Sequence, residues 1–307
     1  MPKVLDKKDI ISIHDLSEFE IKTILNLAKK FKKKITKKYL LNKIIAHCFF
    51  EPSTRTKLSF ETATLRLGGQ VIGFSGSENL SIKKGENLQD TIKTISCYAD
   101  LIIIRHPLEG SARLAADVSD KPIINAGDGA NQHPTQALSD LFTIQEAQGD
   151  LEGLSIAFVG DLKYGRTVHS LVQLCALFNM RLFLVSPSLL RLPEIICDEL
   201  KHKGIRFSLH ANLDEVISKI DILYMTRLQQ ERFSQSEHRM FEKQYILTLD
   251  KLKKIKNNLN ILHPLPRGVE IDRKIDETSY ALYFKQVANA VYVRQAVLSL
   301  LLGKIIL

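Results

Sequence analysis

The chain has 307 residues, of which 45% are hydrophobic and 25% charged; this composition is typical of a globular protein with room for two domains. The first residues lack the apolar core of a signal peptide, and no uncharged apolar run approaches the ~18 residues of a membrane-spanning helix. We therefore expect neither export nor membrane insertion. The four cysteines show no C-x-x-C spacing, which predicts reduced core side chains in a cytoplasmic protein, with a metal site or a disulfide as the minor alternative.

Much of the formal net charge of +9 comes from a lysine-rich stretch near the start of the chain. A helix is predicted to begin after Ser17, with Glu18 and Glu20 in its first turn, and to end in lysines that complement its dipole. No nucleic-acid-binding motif accompanies these lysines, so we predict a solvated helix end and no nucleic-acid partner. The lysines are Lys29, Lys30, Lys32, Lys33, Lys34, Lys37 and Lys38.

Apolar runs and helical patterns alternate along the first half of the chain, which predicts a parallel sheet flanked by helices. The predicted strands are Ile44 to Phe50, Val71 to Phe74, Leu101 to Ile104 and Ile123 to Ala126. The predicted helices are 53–67, 86–98, 110–117 and 134–147.

A second series of the same kind follows Gly149 and Asp150, which predicts a domain boundary near residue 150. A last helix is predicted at Val287 to Leu302. The fold class is therefore α/β, with two domains that each contain a mainly parallel sheet flanked by helices. The strands of the second series are predicted at Leu154 to Val159, Leu182 to Val185, Ile205 to Leu209 and Ile222 to Met225.

A hydroxyl-rich turn lies where the first predicted strand gives way to a helix. At a helix N-terminus the first N–H groups and the positive end of the dipole favour an anion. Arg55 adds a guanidinium that can donate two hydrogen bonds to a phosphate. The alternative is that Ser53 or Thr54 merely caps the helix. The turn consists of Ser53, Thr54, Arg55 and Thr56.

Other polar clusters also follow predicted strands. His106, His133 and His263 each precede a proline, which disfavours helical backbone at the histidine and marks the point where a strand leaves its sheet. Ligands of open parallel sheets bind at this carboxyl edge. A zinc site of the three histidines is an alternative, but no second-shell pattern supports it, and we predict no metal. On its own, His133 is better explained as a cap of the helix that begins at Pro134.

Three other functional classes fit the sequence poorly. Leu162 and Lys163 stand where a dinucleotide-binding G-x-G-x-x-G loop needs glycines, and no G-x-x-x-x-G-K-[ST] phosphate loop occurs. The stretch from Gly73 to Ser77 misses the last glycine of the G-x-S-x-G turn of serine hydrolases. We therefore predict no cofactor.

Together, the strand-end motifs resemble those of the aspartate/ornithine carbamoyltransferase family, and the resemblance extends over nearly the whole chain. Three of them are similar to the family's carbamoyl phosphate site: Phe50 to Thr56, Arg105-His106-Pro107 and His133-Pro134-Thr135-Gln136.

Three further motifs resemble the aspartate-specific members of the family. An ornithine-specific member is expected to carry His-Cys-Leu-Pro at the last of these motifs and to lack the pair of Arg227 and Gln229. The motifs are Val159 to Arg166, Thr226 to Gln229 and His263 to Arg267.

The resemblance implies an enzyme that transfers the carbamoyl group of carbamoyl phosphate to the amine of L-aspartate, the second step of the de novo UMP pathway. It implies a carbamoyl phosphate-binding domain at 1–149, completed by a terminal helix at 287–307, and an aspartate-binding domain at 150–286. Since the substrate amine is the nucleophile, the protein has to orient two anions and stabilise the oxyanion and the leaving phosphate.

The resemblance also implies a role for each matching residue. Arg55, Thr56, Arg105 and His133 would act on the leaving phosphate and the carbonyl, with His133 as a hydrogen-bond donor rather than an obligatory base. Carbamoyl phosphate binding falls to Ser53, Thr54, Arg55, Thr56, Arg105, His133, Gln136, Ser81 and Lys84. Aspartate binding falls to Lys84, Arg166, Arg227, Gln229, Leu265 and Pro266.

A homotrimer with shared active sites is a further implication, because the family's loop corresponding to Phe74 to Asn87 reaches a neighbouring subunit. The resemblance leaves open whether regulatory chains join the trimer and impose nucleotide control, with the region Arg232 to Tyr245 as one where members differ. Arg267 and Arg232 are also explained as surface cations or partners of Glu51. A catalytically silent scaffold and a metabolite sensor are disfavoured, because every expected site residue is present.

Overall fold

The structure of the chain is a computed structural model that describes residue 5 and residues 9–35, 37–76, 85–227 and 245–303. The chain forms two compact units. The first unit comprises Met1–Leu138 and Ala288–Leu307, and the second comprises Ser139–Val287.

The first unit alternates strands and helices along the chain. Its strands are β1 (Ile44–Phe49), β2 (Gln70–Ser75), β3 (Leu101–His106) and β4 (Ile123–Asp128), and its helices are α1 (Glu18–Lys33), α2 (Thr54–Arg66), α3 (Leu88–Ser96), α4 (Ser111–Val118) and the start of α5 (Pro134–Gln148). In the described part of the unit, the four strands pair in parallel in the order β2-β1-β3-β4. This confirms the predicted parallel α/β arrangement.

The second unit follows the same plan. Its strands are β5 (Ser155–Val159), β6 (Arg181–Val185), β7 (Phe207–His210), β8 (Ile222–Met225) and β9 (Asn260–Leu262), and its helices are the rest of α5, α6 (Arg166–Leu177), α7 (Glu194–His202) and the start of α8 (Tyr283–Leu302). Among its described residues, five parallel strands run in the order β7-β6-β5-β8-β9. Helix α8 begins at Tyr283, four residues before its predicted start at Val287.

Both sheets are buried on their central strands, as parallel sheets require. All residues of β3 up to Ile104 are buried, as are all of β8. Apolar side chains of β1 and β3 pack with α3 and α4 in the first unit. The part of α8 after Val287 belongs to the first unit, as predicted: Asn289 accepts a hydrogen bond from Lys32 of α1 at 2.9 Å, and the Arg294 guanidinium lies 4.6 Å from the centre of the Phe60 ring.

Helix α1 begins as predicted but ends early. Ser17 Oγ accepts the N–H of Glu20, and Glu20 accepts the N–H of Ser17, which forms a capping box. The helix stops at Lys33. The prediction that all seven lysines belong to its end was therefore wrong, because Lys34, Lys37 and Lys38 lie beyond it.

The four cysteines are free thiols. Cys48, Cys175 and Cys197 are buried, whereas Cys97 is exposed, so its predicted place in the core was wrong. Cys97 directly follows the last residue of α3, where the helix end faces solvent. No helix in the described part of the chain is both long and apolar enough to cross a membrane.

Gly160 permits a close approach of two strand ends in the second unit. It has φ 118°, and a Cβ atom at this position would lie 2.6 Å from Thr226 Oγ1 and 2.7 Å from the Thr226 carbonyl oxygen. The Thr226 N–H and hydroxyl both donate to the Val159 carbonyl oxygen, at 2.9 and 3.1 Å. The absence of a side chain at Gly160 therefore allows β5 and the residue after β8 to meet.

We predict that Gly160→Ala destabilises the protein by about 3 kcal/mol, because the new methyl group combines unfavourable backbone with a clash against Thr226. Gly153→Ala is the matched control: Gly153 has φ 74° but open space around it, so about 1 kcal/mol is expected. Urea unfolding measures both losses. Equal losses for the two variants would contradict the close approach at Gly160.

Candidate active site

The turn after β1 leads directly into α2. Ser53 is the N-cap residue, with extended backbone (φ −157°), and its side chain makes no capping hydrogen bond. The alternative that this hydroxyl serves as a helix cap is therefore wrong for Ser53. Its carbonyl accepts the N–H of Lys57 at 3.1 Å, which fixes the first turn. The first N–H groups of α2 point out of this end, where the helix dipole favours an anion.

The four residues of this turn differ in burial. Thr56 is buried and Ser53 is half-buried, whereas Thr54 and Arg55 are exposed. The Ser59 hydroxyl donates to the carbonyl oxygens of Arg55 and Thr56, at 2.8 and 3.1 Å. An anion from solvent can therefore reach a helix end whose backbone is already held in place.

Arg105 lies at the end of β3, beside the end of β1. Its register partner on β1 is Phe49. The guanidinium is paired with Glu51 at 3.0 Å and donates to the Ala126 carbonyl at 3.3 Å. Only 12% of the side chain is exposed. The carboxylate of Glu51 thus holds this cation in one orientation, a role that the sequence analysis missed.

The segment from β4 to α5 is held by the buried carboxylate of Asp128. One oxygen accepts from the Asn125 side chain at 2.8 Å and from the N–H of Gln132 at 3.2 Å. The other accepts from the Asn131 side chain at 3.0 Å and from the N–H of Gly110 at 2.9 Å. Sequence analysis singled out this segment only for its histidine, and the acidic residue that shapes it was missed.

His133 follows that segment and precedes the first residue of α5. It is buried, with 4% exposure, and its carbonyl accepts the N–H groups of Gln136 and Ala137 at 3.0 and 3.2 Å. His133 therefore directly precedes the helix, and its carbonyl takes part in the first turn. Gln136, one turn into the helix, is half-buried.

The predicted residues of the first unit thus follow three neighbouring strands. Because β1, β3 and β4 are adjacent and parallel, the turn at Ser53, the side chain of Arg105 and the segment before His133 share the carboxyl edge of one sheet. The edge offers guanidinium, hydroxyl and helix-end N–H groups, which suit a phosphate. His106 is at the same edge, but its Nδ1 accepts the N–H of Leu108 at 3.1 Å, and burial lowers its pKa.

Arg166 is the first residue of α6 in the second unit and is largely buried. The turn before it is organised by the buried Asp161, whose carboxylate accepts the N–H groups of Lys163 and Tyr164 at 3.1 and 2.9 Å. In a dinucleotide-binding protein, the N–H groups of this turn would bind the pyrophosphate, but here they donate to Asp161. This agrees with the absence of the G-x-G-x-x-G pattern from the sequence of the turn.

Arg227 comes two residues after β8 and is half-buried. Strands β5 and β8 are paired, with Val159 opposite Met225. Arg166 and Arg227 therefore follow the carboxyl ends of two neighbouring strands. Two guanidinium groups in this arrangement are suited to a ligand that carries two carboxylates.

The segment after β9 lies next along the same edge, because β9 pairs with β8. Leu265 has φ 55°, and its peptide bond to Pro266 is cis. Its N–H donates to His263 Nδ1 at 2.8 Å. Leu265 is half-buried and Pro266 is exposed.

Arg267 does not pair with Glu51, so that suggestion was wrong. Its guanidinium pairs with Asp276 and donates to the Tyr283 hydroxyl at 2.9 Å, while Glu51 pairs with Arg105. Ser81, Lys84, Gln229 and all of the region Arg232 to Tyr245 except Tyr245 lie outside the described residues.

The described side chains contain no group of three or more His, Cys, Asp or Glu residues arranged to hold a metal ion. His263, one of the three histidines of the zinc alternative, uses both ring nitrogens for other partners: Nδ1 faces the N–H of Leu265, and Nε2 faces Glu270 at 2.8 Å.

Comparison with known proteins identifies the family. Residues 8–146 match the carbamoyl-P binding domain of aspartate/ornithine carbamoyltransferase, and residues 152–301 match its Asp/Orn binding domain. The chain belongs to the aspartate/ornithine carbamoyltransferase family.

Two kinds of relative are similar over almost the whole chain. The aspartate carbamoyltransferase catalytic subunit 2 of Shewanella halifaxensis is 54% identical over 303 residues, which cover 98% of both chains. Aspartate transcarbamoylase from Trypanosoma cruzi, in complex with carbamoyl phosphate and aspartate, is 38% identical with a TM-score of 0.93 and covers 98% of this chain and 99% of its own. The catalytic subunit of M. jannaschii aspartate transcarbamoylase is 49% identical with a TM-score of 0.88, covering 96% of this chain and 98% of its own.

Proposed function

We propose that this chain is the catalytic chain of an aspartate carbamoyltransferase, which transfers the carbamoyl group of carbamoyl phosphate to L-aspartate and releases N-carbamoyl-L-aspartate and phosphate. This is a step of pyrimidine biosynthesis. The observation that carries the proposal is the pair of guanidinium groups, Arg166 and Arg227, in the segments that follow two adjacent parallel strands. Catalytic subunits of this name that are 53% to 54% identical to the chain support it.

In the first unit, the proposed ligand is carbamoyl phosphate. The N-terminal end of α2, with Ser53, Thr54 and Thr56, would hold the phosphate. Arg55 would stabilise the negative charge on the phosphate as it leaves. Arg105 is fixed by Glu51, which supports a role in bridging phosphate and carbonyl oxygen without reorganisation during the reaction.

Polarisation of the carbonyl would involve Thr56, Arg105 and His133, and Gln136 would bind the carbamoyl amide. His133 would act as a hydrogen-bond donor rather than as an obligatory base. A base is not required, because the departing phosphate can itself accept protons.

In the second unit, the proposed ligand is L-aspartate. One guanidinium for each carboxylate is a reasonable division between Arg166 and Arg227. The backbone at Leu265 and Pro266 would complete the pocket. Gln229, Ser81 and Lys84 are included on their match to the family motifs alone.

We also propose that the functional domains are 1–149, completed by 287–307, for carbamoyl phosphate, and 150–286 for aspartate. Family matches at 8–146 and 152–301 support a boundary near residue 150. The two compact units divide the chain instead within α5 and α8, since these helices contribute residues to both. The cytoplasmic location and the absence of a cofactor stay predictions.

Incubation with carbamoyl phosphate, with L-aspartate and L-ornithine assayed side by side, tests the function. We expect product from aspartate alone. Product from ornithine alone would agree with the proposed carbamoyl phosphate site but would overturn the aspartate-binding roles of Arg166 and Arg227. If neither amine reacts while carbamoyl phosphate still binds, a scaffold or sensor replaces the enzyme.

We predict that the chain is a homotrimer with shared active sites. Among the described residues, β2 is an edge strand of the first sheet, and Ile72 on it is 39% exposed. Leu58 and Leu65 of the adjacent α2 are 56% and 59% exposed. A parallel edge strand with exposed apolar neighbours supports a subunit contact. Light scattering is expected to give three times the chain mass of 34.8 kDa, and a stable monomer would contradict the shared site.

We predict that Arg55→Ala lowers kcat/KM by roughly 10²- to 10³-fold, or about 3 to 4 kcal/mol, the range for losing a comparable oxyanion donor. Arg66→Ala is the matched control, because Arg66 is an exposed arginine at the opposite end of α2 and its loss is expected to leave kcat/KM nearly unchanged. Steady-state kinetics of the two folded variants measure both kcat/KM values. Near-normal turnover in Arg55→Ala would remove Arg55 from the site.

A further inference from the structure

His263 and Glu270 form a buried pair next to the proposed aspartate site. His263 Nε2 lies 2.8 Å from Glu270 Oε1, and the two side chains are 0% and 5% exposed. Breaking a buried polar contact costs more than a surface contact is worth, since each group is left without water. Neither residue belongs to a strand or helix, so the pair is not needed to pair the sheet. The pair instead holds together the loop from His263 to Glu270.

The pair has one compatible protonation state. His263 Nδ1 lies 2.8 Å from the N–H of Leu265, so Nδ1 accepts and carries no proton. Nε2 therefore carries the proton and donates it to the Glu270 carboxylate. Burial works to raise the pKa of Glu270, but its hydrogen bonds with His263 and the N–H of Gly268 hold it below its usual value. Glu270 thus stays ionised and fixes the His263 tautomer.

The hydrogen bonds of His263 and Glu270 fix both ends of the segment that contains Leu265 and Pro266. Both oxygens of Glu270 accept from the N–H of Gly268 at 3.0 Å, on the far side of the segment. Leu265 has φ 55°, a left-handed conformation that costs a non-glycine residue roughly 1–2 kcal/mol. Such a conformation persists only where the surroundings impose it. The hydrogen bond from the Leu265 N–H to His263 Nδ1 is a contact of this backbone that contributes to holding it there.

The base of the segment is tied to the strand that precedes Arg227. The N–H of His263 donates to Gln286 Oε1 at 3.0 Å, and Gln286 Nε2 donates to the buried Asp140 at 2.6 Å. The other oxygen of Asp140 accepts from the Tyr224 hydroxyl of β8 at 2.8 Å. One connected set of buried hydrogen bonds therefore links the Leu265 segment to β8 within the second unit.

We propose that His263 and Glu270 are positioning residues for the amine substrate: Glu270 sets the His263 tautomer, and His263 holds Leu265 in its left-handed conformation. Neither residue needs to touch the substrate. The inference rests on the proposed function, because it takes Leu265 and Pro266 as part of the aspartate pocket. It predicts that damage to the pair acts on aspartate and not on carbamoyl phosphate, whose proposed residues lie in the first unit.

Three substitutions test the pair. His263→Ala removes the acceptor for Leu265 and is expected to raise KM for aspartate at least about tenfold, comparable to the lower end of the effect of losing a group that orients a metal ligand. His263→Asn is expected to recover most of that loss, because an Asn side chain accepts the N–H two residues ahead, as in an Asx-turn. Glu270→Gln loses a contact in either orientation of the amide. When its oxygen accepts from His263 Nε2, its NH2 group faces the N–H of Gly268, and when its NH2 group donates to Nε2, the His263 tautomer is reversed. The same KM is therefore expected to rise about fivefold or more.

The chain offers a matched control for Glu270→Gln. His210 Nδ1 and Glu215 Oε2 form another histidine–glutamate contact of 2.8 Å in the second unit, at an exposed place. Glu215→Gln is expected to leave KM for aspartate within twofold of the unsubstituted protein. Calorimetric titration with inorganic phosphate is expected to give unchanged affinity in all variants.

The outcomes separate the inference from the function. If the unsubstituted protein does not carbamoylate aspartate, the proposed function fails. If it does, and Glu270→Gln matches Glu215→Gln in KM, the positioning role is overturned; this comparison stands even if His263→Ala fails to fold. Equal KM values for His263→Asn and His263→Ala, or a loss of phosphate affinity equal to the change in KM, would also overturn it.

Discussion

Parallel hydrogen bonding between strands is the constraint on which the site depends. Because β1, β3 and β4 run the same way, their carboxyl ends meet at one edge of the first sheet, and β5, β8 and β9 meet likewise in the second. Residues far apart in sequence, such as Arg55, Arg105 and His133, are gathered there by the register of the sheet. Cations and helix-end N–H groups collect at each edge, so each sheet presents a surface suited to an anionic substrate.

Carboxylates hold the cations and turns at these edges in place, although a carboxylate would not itself bind an anionic substrate. Glu51 pairs with Arg105, Asp128 shapes the turn before His133, and Asp161 shapes the turn before Arg166. A carboxylate fixed in this way orients a neighbouring group before substrate arrives, which lowers the reorganisation needed during the reaction. The His263 and Glu270 pair fits the same pattern, with the carboxylate of Glu270 acting on Leu265 through the His263 ring.

The sequence predicted the strand-end motifs and the alternation of strands and helices, because both are local patterns of apolar residues, prolines and hydroxyls. It did not predict the partner of Arg105, since the contact with Glu51 depends on the register of β1 against β3. The end of α1 at Lys33 was missed because neither glycine nor proline marks it, and the exposure of Cys97 was missed because local composition does not tell which side of a helix end faces solvent. The early start of α8 at Tyr283 lacked a capping signal in the sequence.

The central claim is that the two strand edges bind the two substrates. A crystal structure of the protein soaked with carbamoyl phosphate and succinate, a dicarboxylate without the reactive amine, would test it most directly. The account predicts the phosphate at the N-terminus of α2, within hydrogen-bond distance of Arg55 and Arg105, and carboxylates on Arg166 and Arg227. Phosphate bound away from α2, or a dicarboxylate that contacts neither Arg166 nor Arg227, would contradict it.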